Sequence, residues 1–162
     1  LNIVINAKKA RELHDRLSSQ VLNNLCGDKI TRAIIKNRNT LRIFFNNTMP
    51  QPGSELYEME DEYRRRIKDT FEEFAQKDDN GKVIGNVPAE KNGEFREAME
   101  AVDEVYKEHL AKMKELKEAP LNIPIMMLYK KDLPKTISLE QRELLLFMIE
   151  GEHDMDPIFE ED

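Results

Sequence analysis

The clearest periodicity in the chain lies between residues 93 and 118. There Phe95, Met99, Val102, Tyr106, His109, Met113 and Leu116 succeed one another in alternating steps of four and three. That spacing keeps one stripe of a helix facing a partner for about three heptads. His109 is its polar interruption, and a polar residue on such a seam serves to fix register. A second stripe, Leu56, Glu60, Tyr63, Ile67, Thr70 and Phe74, takes the same steps and follows Ser54, a helix-capping residue type. Here Glu60 spoils an otherwise apolar seam. Glu60–Arg64, Asp61–Arg65 and Glu62–Arg66 are acid-first pairs four residues apart, which add modest helix stability. Two helices with matching seams predict a central antiparallel helical hairpin.

Before the hairpin, Leu1, Ile3 and Ile5 fall on one face of an extended segment, the period-two signature of a strand. Asn6 caps a predicted helix over 7–25, with Ala10, Leu13, Leu17, Val21 and Leu25 inward. Gly27 suits a left-handed C-terminal cap and Asp28 a cap on the next helix. That helix runs to about 47, with Ile30, Ile34, Leu41, Phe44 and Phe45 inward, until the prolines of "MPQPGS" end it. After Pro120 the run "LNIPIMMLY" (121–129) is apolar and rich in β-formers, and it is predicted to pair with the N-terminal strand. A last helix starts at Ser138, where Gln141 completes a capping box, and it turns Leu144, Leu145, Phe147, Met148 and Ile149 inward. The predicted fold is mainly α, a helical bundle with a small β element. It is expected to form one domain over 1–150, followed by an acidic, flexible tail over 151–162.

The connection "KDDNGKVIGNVPAEKNGEF" (77–95) invites a chemical reading. Placing Gly81 at the sixth position of a calcium-binding EF-hand loop puts Gln76 first and Val87 twelfth, so the terminal ligands fail. A hairpin fits better. Asn80-Gly81 is the preferred pair for a type I′ turn, and Val83, Ile84 and Val87 would line a short ribbon at the tip.

Net charge is −7, but unevenly placed. Residues 1–48 hold nine Lys/Arg against three Asp/Glu, whereas 49–162 hold sixteen against twenty-nine. An internal match of opposite charges explains such a split, as do two surfaces for two partners. The cations Lys29, Arg32, Lys36, Arg38 and Arg42 on the helix over 29–47 are nucleic-acid candidates, although the spacing spreads them round the helix. No apolar run approaches membrane-spanning length, and the order of "LNIVINAKKAR" reverses that of a secretory signal. Opening on Leu fits a trimmed N-terminus or a start codon other than ATG. Cys26 is the single cysteine, expected as a buried structural thiol in a cytoplasmic protein. His14 and Asp15 are adjacent on a helix and so are not expected to face each other, and His153 lies in the tail. No metal-ligand spacing, phosphate loop or nucleophile motif occurs, so neither enzyme, cofactor nor metal site is expected.

The order of basic helix, charged helix ending in "KDDNGKVIG", further helix, apolar "I-x-I" strand and "LP…ISLEQRELL…MIE" resembles small helical proteins encoded by tailed bacteriophages, especially of Gram-positive hosts. The resemblance covers roughly 20–150. The linker "MPQPGSELYEMEDE" departs from it, by interrupting a more continuous helical run. It implies an accessory role in host takeover, defence evasion or virion assembly, and no catalytic residues. The expected activity is binding to a larger protein as adaptor or inhibitor. Candidate anchors are Val83, Ile84 and Val87 rimmed by Asp78 and Asp79, and Ile158 and Phe159 of "DPIF". Nucleic-acid binding through 29–47 is the second reading, virion assembly the third.

Overall fold

A computed structural model describes residues 1–159. The protein is mainly α-helical with a small two-stranded antiparallel sheet. Where the pattern predicts one domain, the chain divides into two compact units: Leu1–Met49 with the chain from Leu116 onward, and Pro50–Glu115.

In the first unit β1 (Asn2–Ile5) pairs antiparallel with β2 (Leu121–Pro124), so the two ends of the chain do meet in one sheet. Ile3 and Ile123 are register partners and both are buried. β2 is shorter than the predicted 121–129. One further hydrogen bond, from the Ile125 N–H to the Leu1 carbonyl at 2.8 Å, follows Pro124, and beyond it Leu128 forms a parallel bridge with Ile149.

Asn6 caps α1 (Ala7–Leu17), its side chain accepting from the Lys9 N–H at 2.9 Å. The helix stops at Leu17, well before the predicted residue 25. Ser18 donates its hydroxyl to the His14 carbonyl, and Ser19 accepts from the Val21 N–H to open a 3-10 turn over Gln20–Asn24. Consecutive serines offer the backbone local partners that compete with the helix. The turn buries Leu22 and leaves Val21 and Leu25 half-buried.

Gly27 is also not the expected helix C-cap. With φ 144° and ψ 127° it precedes α2 (Asp28–Asn47), whose first residue is Asp28. Ile30, Ala33, Asn37, Leu41 and Phe45 form the buried stripe of α2, with Ile34 and Phe44 at its margins. Asn37, fully buried, donates to the Met126 carbonyl at 2.9 Å and accepts from the Met126 N–H at 2.8 Å. It therefore completes a backbone that the short β2 leaves unpaired.

The predicted capping box forms at α6 (Leu139–Leu145), and Leu145, Phe147, Met148 and Ile149 are fully buried. Over the described residues, the segment after it packs against the unit. Asp156, fully buried, accepts from Arg16 at 2.8 Å and from the Ile158 N–H at 3.0 Å. Buried Glu152 pairs with Arg142 and, at 3.2 Å, with Lys130. These ion pairs and Ile158 in the core dock the segment, where acidic composition had suggested disorder. The predicted tail's last residues, 160–162, lie outside the described residues.

The second unit is the helical hairpin. Ser54 caps α3 (Glu55–Phe74) through the Tyr57 N–H at 3.1 Å. The predicted helix over 93–118 is two helices, α4 (Asn92–Val105) and α5 (Lys107–Glu118), broken at Tyr106 with ψ 16°. Ring contacts of Phe71 and Phe74 with Phe95, and of Tyr63 with Tyr106, fix an antiparallel crossing. Every predicted seam position is at least half-buried.

Candidate functional site

α2 is amphipathic in an unusual way. Its inner stripe belongs to the core, so every other side chain must share the opposite half. Projected at about 100° per residue, Arg32, Ile35, Lys36, Asn39, Arg42 and Ile43 fall within about a third of the circumference. All six are exposed, Ile35 at 46% and Ile43 at 54%. Arg32, Lys36 and Arg42 therefore share one face, although with Lys29 and Arg38 the predicted cations span about half the circumference. An open depression of about 450 Å³ lies at the start of this face, lined by Gly27, Asp28, Thr31, Arg32, Ile35 and Lys36.

The predicted basic residues separate into two groups. Lys29 is committed internally: its Nζ is 2.7 Å from Asp132 and 4.8 Å from the Tyr129 ring centroid. The Lys29 hydrogen bond holds the Asp132 carboxyl below its ordinary range, against partial desolvation. Arg38 is half-buried. Arg32, Lys36 and Arg42 have no carboxylate within ion-pair distance among the described residues. The charge asymmetry is thus partly an internal match, through Arg16–Asp156 and Lys29–Asp132, and partly an uncompensated surface.

At the hairpin tip, Asp78 is a turn residue. Its carboxylate accepts from the Asn80 and Lys82 N–H groups, each at 2.9 Å, and its carbonyl from Gly81 at 3.0 Å. The turn is not type I′, because Asn80 keeps a negative φ and only Gly81 is left-handed, at +80°. That is a type I turn followed by a glycine bulge, stabilised by Asp78. Lys77 bridges Val83 across the ribbon. Ile84 is exposed at 58%, Asp79 is exposed, and Val83 and Val87 are half-buried. The "DPIF" anchors are spent: Ile158 is buried and Phe159 packs against the core.

The polar interruptions of the two seams meet. His109 Nε2 lies 2.6 Å from Glu60, while Tyr106 and Tyr63 donate to Glu62 and Asp103 at 2.8 and 2.7 Å. Burial and the Asp103 hydrogen bond push the Tyr63 phenol up to about 12. Burial alone would raise Glu60, but the hydrogen bonds of His109 and Arg64 prevail and hold it below its ordinary value. A buried His–carboxylate pair can serve as a general base. Here its neighbours are phenols already tied to carboxylates, and these contacts join α3 to the α4–α5 arm of the hairpin. Sequence reasoning placed His109 and Glu60 on facing seams without joining them.

Two further expectations change. Cys26 is exposed, in the link between the 3-10 turn and α2. His14 and Asp15 do meet, with Nδ1 and Oδ1 3.0 Å apart, because Asp15 is exposed and free to lean back. Among the described residues, no group of three or more His, Cys, Asp or Glu is placed to hold a metal ion, and no helix is long and apolar enough to cross a membrane.

The chain thus belongs, by its architecture, to the mainly-α proteins with a small β element. It matches no protein-family model, no curated protein and no solved structure.

Proposed function

We propose that the protein acts by binding another protein rather than by catalysis. It would be a cytoplasmic adaptor or inhibitor, an accessory factor of the tailed-phage kind that its element order resembles. The observation that carries this reading is the outer face of α2, where Ile35 and Ile43 stand exposed among Arg32, Lys36 and Arg42. Apolar side chains ringed by charge are the usual make-up of an interface core and rim. Ile84 at the hairpin tip is a smaller, separate exposed anchor.

The test compares the full chain with an Ile35→Asp/Ile43→Asp variant as baits in host lysate. A stoichiometric partner held by the wild type and lost by a variant of unchanged helicity supports the reading. Equal capture by both removes α2 from it, and no stoichiometric partner for either rejects it.

The three uncompensated cations favour a second reading, binding to nucleic acid. In that case the wild type is retained on DNA or RNA at about 50 mM salt. Replacing Arg32, Lys36 and Arg42 with Gln then flattens the salt dependence by about three phosphate contacts.

A further inference from the structure

Resting on the protein-binding reading, we infer that the occupant of the α2 face is an acidic amphipathic helix of the partner. Its two apolar anchors would be about two turns apart and flanked by carboxylates. Charge complementarity is the first argument. Four cations of the same unit, Arg16, Lys29, Lys130 and Arg142, have a carboxylate of the chain itself, while others such as Lys8, Lys9 and Lys135 have none within ion-pair distance among the described residues. Arg32, Lys36 and Arg42 have none within ion-pair distance among the described residues and stand around Ile35 and Ile43, so this face offers positive charge to a partner's carboxylates.

Spacing is the second argument. Ile35 and Ile43 are eight residues apart, or about 12 Å along the helix axis. Apolar residues seven or eight apart on a partner helix have the same separation. One would seat in the depression beside Ile35 and the other against Ile43. Carboxylates one turn to either side of those anchors then reach Arg32, Lys36 and Arg42, as in helix-in-groove recognition.

Other occupants fit less well. The pairing of two copies that stacks Ile35 on Ile43 also sets Lys36 against Arg42, a like-charge contact that opposes association. A nucleic-acid backbone would satisfy the cations but press phosphates onto two isoleucines. An anionic membrane would take both, yet two half-exposed isoleucines without an aromatic residue give little insertion.

The experiment titrates the full chain with designed 20-residue helical peptides. One carries Leu seven residues apart flanked by Glu, one has Lys for each Glu, and one has Ser for each Leu. Duplex DNA and phosphatidylserine vesicles are tested in parallel. The acidic Leu peptide is expected to bind at least tenfold more tightly than either control. Arg32→Glu/Arg42→Glu should reverse the preference towards the Lys peptide, and Ile35→Asp/Ile43→Asp should abolish binding. Equal binding of the acidic and basic peptides, no peptide binding at all, or binding of DNA or vesicles alone each overturns the inference. A lysate partner lost from the Asp variant while the peptides stay silent sinks only this inference. The absence of any partner sinks the protein-binding reading as well.

Discussion

Asn37→Ala is the sharpest probe of how the first unit holds its unpaired backbone. The Asn37 amide is fully buried and satisfies both the N–H and the carbonyl of Met126, 89 residues away in sequence. Truncation strands both groups, and each buried polar group left without a partner costs about 1–3 kcal/mol. The sum, about 2–6 kcal/mol, is a large share of the 5–15 kcal/mol typical of a domain. For a unit of this size it lowers the melting temperature by about 4–8 °C per kcal/mol. Asn37→Asp has the same shape and separates the two bonds. It keeps the acceptor for the Met126 N–H but sets a carboxylate oxygen where the donor stood, 2.9 Å from a carbonyl oxygen. At neutral pH this buried charge should cost at least as much as the alanine. Once protonated in acid, the carboxyl can donate again, so Asn37→Asp should become the more stable of the two variants. Urea denaturation followed by circular dichroism, each variant measured against wild type at each pH, gives the comparison. Hydrogen exchange at the Met126 amide localises it. A loss below about 1 kcal/mol for Asn37→Ala, or unchanged protection of that amide, refutes the reasoning.

Arg16→Ala leaves the buried Asp156 carboxylate without its guanidinium. We expect a loss of about 2–3 kcal/mol, below the 3–5 of a fully enclosed pair because Arg16 is partly solvated, and faster proteolysis after Gly151. Unchanged protease resistance there would refute the docking of this segment. Glu60, with its pKa depressed in the folded state, contributes stability that is present above its unfolded value near 4.5 and lost as pH falls through the folded value. Urea titrations of wild type and Glu60→Gln between pH 7 and 3 should therefore differ most at neutral pH and converge in acid, and parallel curves would reject the Glu60–His109 pairing.

What could be read from the sequence was whatever repeats. The two hairpin seams recur every three or four residues, and each position is forced inward by the ones a heptad away. The spacing therefore marks Leu56 to Phe74 and Phe95 to Leu116 as inward without reference to any contact. The Ser138–Gln141 box is local and was equally plain. Contacts made once, between residues far apart, leave no such trace. Asn37 lies in a helix that also carries Asn39, Asn46 and Asn47, and nothing in that run marks the one that faces Met126. Arg16 and Asp156 are 140 residues apart, so a docked segment looked like an acidic tail. At the tip, the Asn-Gly pair located the bend. Its geometry was set one step earlier by Asp78, whose carboxylate takes the Asn80 and Lys82 amides and so holds Asn80 right-handed.

The candidate surface was legible by half for the same reason. Arg32, Lys36 and Arg42 are conspicuous as charges, but a linear tally treats the whole circumference of α2 as open to them. Once Ile30, Ala33, Asn37, Leu41 and Phe45 claim one side, the cations have only the other, and Ile35 and Ile43 are forced there with them. Those two isoleucines fall out of phase with the inward stripe, and that misfit was the available signal. A β-branched apolar residue on the solvent side of a helix neither improves helix propensity nor finds a core. Two of them eight residues apart, exposed among Arg32, Lys36 and Arg42, are the reason the proposed partner surface is put on the outer face of α2.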